Sequence, residues 1–148
     1  ACACLTLSAS GELAPGEQTV TIRTPHTTLR AGLHPAAGGS GEDACSGEML
    51  LEALIACAGV TLQAVATAMG IALRGGRVRA EGELDFRGTL GVSKEAPVGF
   101  AAIRLTFELD TDASDEQLTT LLRLSERYCV IYQSLKQPPE LSWVRLPG

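Results

Sequence analysis

SGEMLLEALIACAGVTLQAVATAM, residues 46–69, is apolar on nearly every side of a helical wheel. A helix of that kind is either a membrane span or the middle of a protein core. The wider run Met49–Leu73 is 25 residues long, enough to cross a bilayer by length alone. Glu52 interrupts it, Gln63 sits near its middle, and its leading flank is acidic and Gly-rich. The rest of the chain supplies amphipathic elements that need something to pack on, so a core helix with no membrane partner is expected. Ser46 is placed as its N-cap, Glu48 and Glu52 put negative charge in its first two turns, and Gly70 ends it.

Working outward, Leu5–Ala9 and Gln18–Thr24 read as strands joined by a turn over Gly11–Gly16. In QTVTIRT, Val20 and Ile22 alternate with polar neighbours, the period of a half-buried strand. Thr27–Ala31 is a third strand candidate, and the breaker-rich segment Gly32–Asp43 is a long loop leading into the helix. After a Gly75-Gly76 turn, Val78–Phe86 and Ala101–Asp110 both alternate and read as an antiparallel pair, linked by Arg87–Pro97. Ser114–Leu135 reads as a second helix that opens on a Ser114-x-x-Gln117 capping box. Its stripe is Leu118, Leu121, Leu122, Ser125, Tyr128 and Cys129, Pro138-Pro139 ends it, and Leu141–Leu146 is a last short strand. Strands gathered around two helices predict an α+β fold in one domain, residues 1–148.

Composition narrows the function. A 148-residue chain that is 45% hydrophobic but 4% aromatic builds its core from Ala, Val, Ile and Leu. A net charge of -5 without a basic cluster argues against a nucleic-acid surface. Two histidines leave little for a multi-His metal site, and no metal or other cofactor is expected. Five cysteines, odd in number and irregular in spacing, argue against a disulfide-stapled secreted scaffold. The N-terminal residues show no basic region followed by an apolar one, and a cytoplasmic location is expected.

The cysteines are therefore where chemistry is sought. Cys57 lies mid-way along the first helix and Cys129 on the stripe of the second. Taken singly, each reads first as a small buried hydrophobe, with half of a dithiol pair as the functional alternative. Mid-helix placement gives Cys57 no help from a helix N-terminus, so a cation or hydrogen-bond donor must lower its pKa. Cys2 and Cys4 form a C-x-C pair too small for a metal site, and their exposure at the terminus is expected. Cys45, twelve residues before Cys57, is too far along one helix to bond it.

Glu48-Met-Leu-Leu-Glu-Ala-Leu-Ile-Ala-Cys57-Ala-Gly-Val-Thr61 resembles the first cysteine helix of the OsmC/Ohr family, and Ser125-Glu-Arg-Tyr-Cys129-Val-Ile-Tyr resembles its second cysteine signature. The order of elements is similar too. The resemblance implies antiparallel sheets around two long cysteine-bearing helices in an intertwined homodimer. It implies a redox-active, peroxiredoxin-like stress protein that reduces organic hydroperoxides. Cys57 would become a sulfenic acid, Cys129 would resolve it to a disulfide, and an external dithiol would restore both. The family's reductases carry an upstream Arg held by a Glu ten residues before the first Cys. Here that position is Gly47, Glu48 lies one residue on, and Arg30 is the nearest upstream cation, ahead of Arg23. Arg30 and Glu48 are thus the candidate partners of Cys57, each also readable as a surface charge or helix-terminus residue. The second signature lacks its usual Pro, Val130 following Cys129. The alternative is a non-catalytic dimer of the same fold that binds a small apolar ligand or senses redox state.

Overall fold

A computed structural model describes residues 2–136, which divide into two compact units. Residues up to Glu52 together with Glu81–Arg104 make the first, and Ala53–Ala80 together with Leu105 onward make the second. The expected Pro138-Pro139 stop and the strand at Leu141–Leu146 lie outside the described residues.

In the first unit, β1 (Ser10–Leu13), β2 (Val20–Arg23), β3 (Thr28–Gly32) and β4 (Ala44–Cys45) form a sheet in that order. β1 and β2 are antiparallel, with Leu13 opposite Val20. Their turn closes around Pro15 and Gly16, where Gly16 has φ +79°, by way of hydrogen bonds from Ala14 N–H to the Thr19 carbonyl and from Glu17 N–H to the Ala14 carbonyl. That connection, residues 14–19, lies three residues later than the predicted Gly11–Gly16. It brings Ser10–Leu13 into the ladder, and the predicted strand at Leu5–Ala9 is not formed, Leu5 and Leu7 being exposed. β2 and β3 are antiparallel through a turn held by Thr24, whose Oγ1 accepts from the N–H groups of His26 and Thr27. The sheets are not wholly antiparallel as expected: β4 pairs parallel to β3, Ala31 with Ala44 and Gly32 with Cys45. The long Gly32–Asp43 segment makes that possible, since a parallel partner needs a crossover rather than a hairpin.

β4 runs straight into α1 (Ser46–Ala68). Phe100 accounts for two glycines of this unit. A Cβ on Gly82 would stand 2.5 Å from the Phe100 ring, and one on Gly47 would stand 3.4 Å from it. A short helix, α2 (Phe86–Thr89), ends the predicted strand before Phe86, because the Asp85 carboxylate caps it by accepting from Arg87 N–H at 3.0 Å.

In the second unit α1 buries Leu54, Ala58, Leu62 and Ala66, one residue per turn along a single stripe. Leu62 and Ala66 pack with Ile71 and Leu121, and Val65, Met69, Phe107, Leu109 and Leu118 close around them. α1 is long and apolar enough to cross a membrane by length and composition. Gly70, at φ +67°, turns the chain out of α1 as predicted. The predicted Gly75-Gly76 turn is instead the start of β5 (Gly75–Leu84), which pairs with β6 (Phe100–Asp110). A Cβ on Gly76 would stand 2.5 Å from the Glu108 carbonyl oxygen, so the glycine serves close backbone approach rather than a bend. Ion pairs Arg79–Glu108 at 3.5 Å and Arg104–Glu83 at 2.6 Å run in opposite chain directions along the two strands, as an antiparallel pair requires.

α3 (Asp115–Tyr128) opens on the predicted capping box: Ser114 Oγ accepts from Gln117 N–H at 3.2 Å, and Gln117 Oε1 accepts from Ser114 N–H at 2.9 Å. Of the predicted stripe, Leu121, Ser125 and Cys129 are buried, whereas Leu122 and Tyr128 are exposed. The expected continuous helix to Leu135 is not formed. Cys129, at φ −74° and ψ 110°, breaks it and both ends α3 and begins α4 (Val130–Ser134).

Candidate active site

α1 carries Cys57, half-buried, one residue before the buried Ala58, while the break between α3 and α4 fixes Cys129, which is 1% exposed. The Cys57 and Cys129 thiols are neighbours that alter each other's ionisation, and Cys57, Cys129 and Cys45 are free. The packing of the two predicted cysteine segments thus joins Cys57 with Cys129.

The pair is asymmetric. Burial pushes the Cys57 thiol up, but donors outweigh it and leave Cys57 below the ordinary thiol range. The strongest is the Ile131 backbone N–H, followed by the Cys129 thiol, the Thr61 hydroxyl and the Val130 backbone N–H. Burial also pushes Cys129 up. The Tyr132 N–H, which reaches Cys129 Sγ at 3.5 Å, opposes that, but proximity to Cys57 adds to it, and Cys129 ends above its usual value. Two sulfurs in contact cannot both ionise cheaply, so the negative charge goes to the one with more donors.

The source of those donors corrects the sequence reading of Cys57. Within a continuous helix the N–H groups of Val130 and Ile131 would be committed to carbonyls four residues back. The break at Cys129 makes them first-turn donors with no helical partner, and they turn to the Cys57 sulfur. Thr61 is one helical turn beyond Cys57, so its contribution was readable from i, i+4 spacing. The backbone donors carried no such sequence signal, because Val130 gives no mark of a helix break.

Arg30 lies on β3 and forms a two-pronged ion pair with Asp43, Nε to Oδ1 at 2.7 Å and Nη2 to Oδ2 at 3.3 Å, with Glu17 4.0 Å away. Its acidic partners are thus Asp43, from the end of the long loop, and Glu17. Hydrogen bonding to Asp43, and that residue's charge, raise the Arg30 guanidinium above its ordinary value. Glu48 sits in the first turn of α1, as its helix-terminus reading required. His34 caps a single 3-10 turn, Pro35–Ala37, by accepting from Ala36 N–H at Nδ1, and its ring lies 5.2 Å from Phe86. Arg87 is engaged by Asp85 at 2.6 Å. Cys2 and Cys4 are paired with each other in the exposed N-terminal stretch.

Beside Cys129 a cavity of about 320 Å³ opens, with Leu105, Phe107 and Leu122 as apolar walls and Arg123, Glu126 and Tyr132 as its polar groups. Hydrogen bonding to the Glu126 carboxylate, then burial and that carboxylate's charge, hold the Tyr132 phenol above its ordinary pKa.

The order of strands and helices described above matches known proteins. The family model of OsmC-like proteins matches residues 39–144, and the chain belongs to that family. No curated protein matches it. Among solved structures it is similar to an OsmC-like protein from Mycoplasma pneumoniae, at a TM-score of 0.72 and 17% identity over 89% of this chain and 88% of that one. It is also similar to an organic hydroperoxide resistance protein OsmC from Legionella pneumophila, at 0.69 and 16% identity over 90% and 92%. A third is a putative organic hydroperoxide resistance protein from Vibrio cholerae with captopril in one of its active sites, at 0.63 and 18% identity over 90% and 88%. At these identities the likeness establishes the shared α+β fold.

Proposed function

We propose that this chain is a thiol-dependent peroxidase that reduces organic hydroperoxides. The observation that carries the reading is the neighbouring pair of free thiols, Cys57 and Cys129, with the more acidic one at Cys57 and the less acidic one at Cys129. Family membership and the hydroperoxide-resistance proteins among its structural neighbours support it.

In the proposed cycle the Cys57 thiolate attacks the terminal oxygen of R–O–O–H. The O–O bond breaks, Cys57 becomes a sulfenic acid, and an alkoxide leaves. The Cys129 thiol, held protonated, gives its proton to the alkoxide and releases the alcohol. The resulting Cys129 thiolate attacks the Cys57 sulfur, forming the disulfide and expelling hydroxide. An external dithiol then reduces the disulfide by exchange and is itself oxidised. The family resemblance assigns the role of the cation to Arg30, which Asp43 and Glu17 hold, and Glu48 serves the start of α1. The cavity beside Cys129 suits the organic part of the peroxide, since its walls are apolar. The working unit is a single OsmC-like domain in a homodimer: α1 leaves Val60 69% exposed, and α4 begins with an exposed Val130, both suited to burial against a second copy. A reducing cytoplasmic setting would keep Cys45, Cys57 and Cys129 as thiols.

One equivalent of cumene hydroperoxide followed by mass spectrometry of the intact and digested protein tests the reading. A Cys57–Cys129 disulfide is expected, and two unmodified thiols overturn it. A non-catalytic, ligand-binding dimer is the second reading, favoured by the same cavity. It requires an apolar molecule retained through purification and no peroxide turnover.

A further inference from the structure

The break at Cys129 is a local exchange of hydrogen-bond partners. If α3 continued, the Val130 N–H would donate to the Glu126 carbonyl. Instead α3 makes its last such bond from Cys129 N–H to the Ser125 carbonyl, at 3.0 Å. The Glu126 carbonyl, left without its helical partner, accepts from Gln133 Nε2 on α4 at 2.9 Å. A second tie crosses the same break, because the Glu126 carboxylate bonds to Tyr132, also on α4. One residue of α3 is therefore held through both its main chain and its side chain by two successive residues of α4. No proline enforces this geometry, since residue 130 is Val. A bare Val gives the chain no reason to leave the helix there, and the continuous alternative would recover the main-chain bonds.

We infer that Glu126 and Gln133 are positioning residues, which hold the chain break at Cys129 so that the first N–H groups of α4 face the Cys57 sulfur. The inference deepens the proposed function but is separable from it. The groups facing that sulfur are the Ile131 and Val130 N–H groups from α4, the Cys129 thiol at the break and the Thr61 hydroxyl from α1. Glu126, Arg123 and Tyr132 border the neighbouring cavity. Removing a tie frees Val130 N–H to return to the Glu126 carbonyl and withdraws both backbone donors from Cys57.

The test reads the pH dependence of Cys57 alkylation by iodoacetamide, followed peptide by peptide with mass spectrometry, in the full chain. In Gln133→Ala the midpoint is expected to rise by at least half a pH unit, about a threefold loss of thiolate below the midpoint. Gln133→Lys, whose ammonium can donate to the same carbonyl, should recover most of it. Tyr132→Phe removes the second tie alone and covers the case in which Gln133→Ala does not fold. A shifted midpoint in either folded variant with Lys rescue supports the inference. An unmoved midpoint in folded Gln133→Ala and Tyr132→Phe overturns it. Loss of peroxide turnover from the wild type, with the midpoints still moving, would sink the peroxidase reading and leave this one standing.

Discussion

Cys57 and Cys129 are neighbouring thiols with unequal surroundings, so that Cys57 is the more acidic and Cys129 the less. An order of events follows from that inequality. In the proposed cycle the sulfur that ionises at the lower pH attacks first, and the one that holds its proton to higher pH acts second.

Cys57→Ser should therefore reduce peroxide consumption in a coupled dithiol assay to the rate without protein. Cys129→Ser should still react once, but stop at the sulfenic acid. Trapping with dimedone distinguishes the two: an adduct at Cys57 in Cys129→Ser, and none in Cys57→Ser. An adduct on Cys129 would reverse the assigned roles.

The pH profile follows in sign from the same donors. Cys57 titrates below the ordinary free-thiol value of about 8.5. Its alkylation rate should be flat at alkaline pH and fall as the pH drops through its depressed pKa. Ionised Cys57 contributes fully to the folded state above the unfolded-state thiol pKa, and that contribution is lost progressively as pH falls through the lower folded value. Cys129 has the opposite sign: its contribution is present below the unfolded pKa and lost as pH rises through the raised folded value. The two offset each other in stability, so thiol reactivity is the measurement that resolves them.

Thr61→Val removes one donor without changing the shape of α1. A hydrogen bond to a charged group contributes about 1.5–3 kcal/mol, so a rise of about one unit in the Cys57 pKa is expected once neighbouring donors adjust. Peroxide turnover near neutral pH should fall severalfold while the circular dichroism spectrum is retained. An unchanged alkylation midpoint would show that the hydroxyl does not serve Cys57.

The core makes a separate claim. Leu121 is fully buried against Leu62, Ala66 and Ile71. Leu121→Ala should cost about 2–5 kcal/mol, the range for a buried leucine that leaves a cavity. Urea denaturation checks it. A loss below about 1 kcal/mol would mean that the site collapses or is not packed as described.

Much of this architecture was legible because its signals are local and strong. The apolar run of α1, the alternation along β5 and β6 and the Ser114–Gln117 box each state their structure within a few residues. The misses share a different cause. The β1 register was set by a tight turn at Pro15-Gly16, the parallel pairing of β4 by a partner across a long loop, and the role of Gly76 by a carbonyl on another strand. None of these is written in periodicity. At the candidate site the motifs point to the two cysteines, whereas two of the four donors that acidify Cys57, the strongest among them, are main-chain groups released by a break that residue 130 does not announce.

That last point gives a final prediction, for Val130→Pro. Proline forces the residue before it out of the helical region, and Cys129 already has φ −74° and ψ 110°. Residue 130 is the first position of α4, where a proline's fixed φ fits and its missing N–H breaks no helical bond. The substitution should thus be accommodated, and restricting the unfolded chain should add about 0.4–1 kcal/mol of stability. It also deletes the Val130 N–H, the weakest of the four donors to Cys57, while Ile131 remains. The Cys57 midpoint should therefore rise only slightly, by less than in Thr61→Val. Urea denaturation and alkylation on the same protein read the two effects together. Stability gained with a small upward shift fits a break that exists before proline enforces it. Stability lost would mean that the wild-type chain runs as a continuous helix through Cys129, and the donors assigned to Val130 and Ile131 would fall with it.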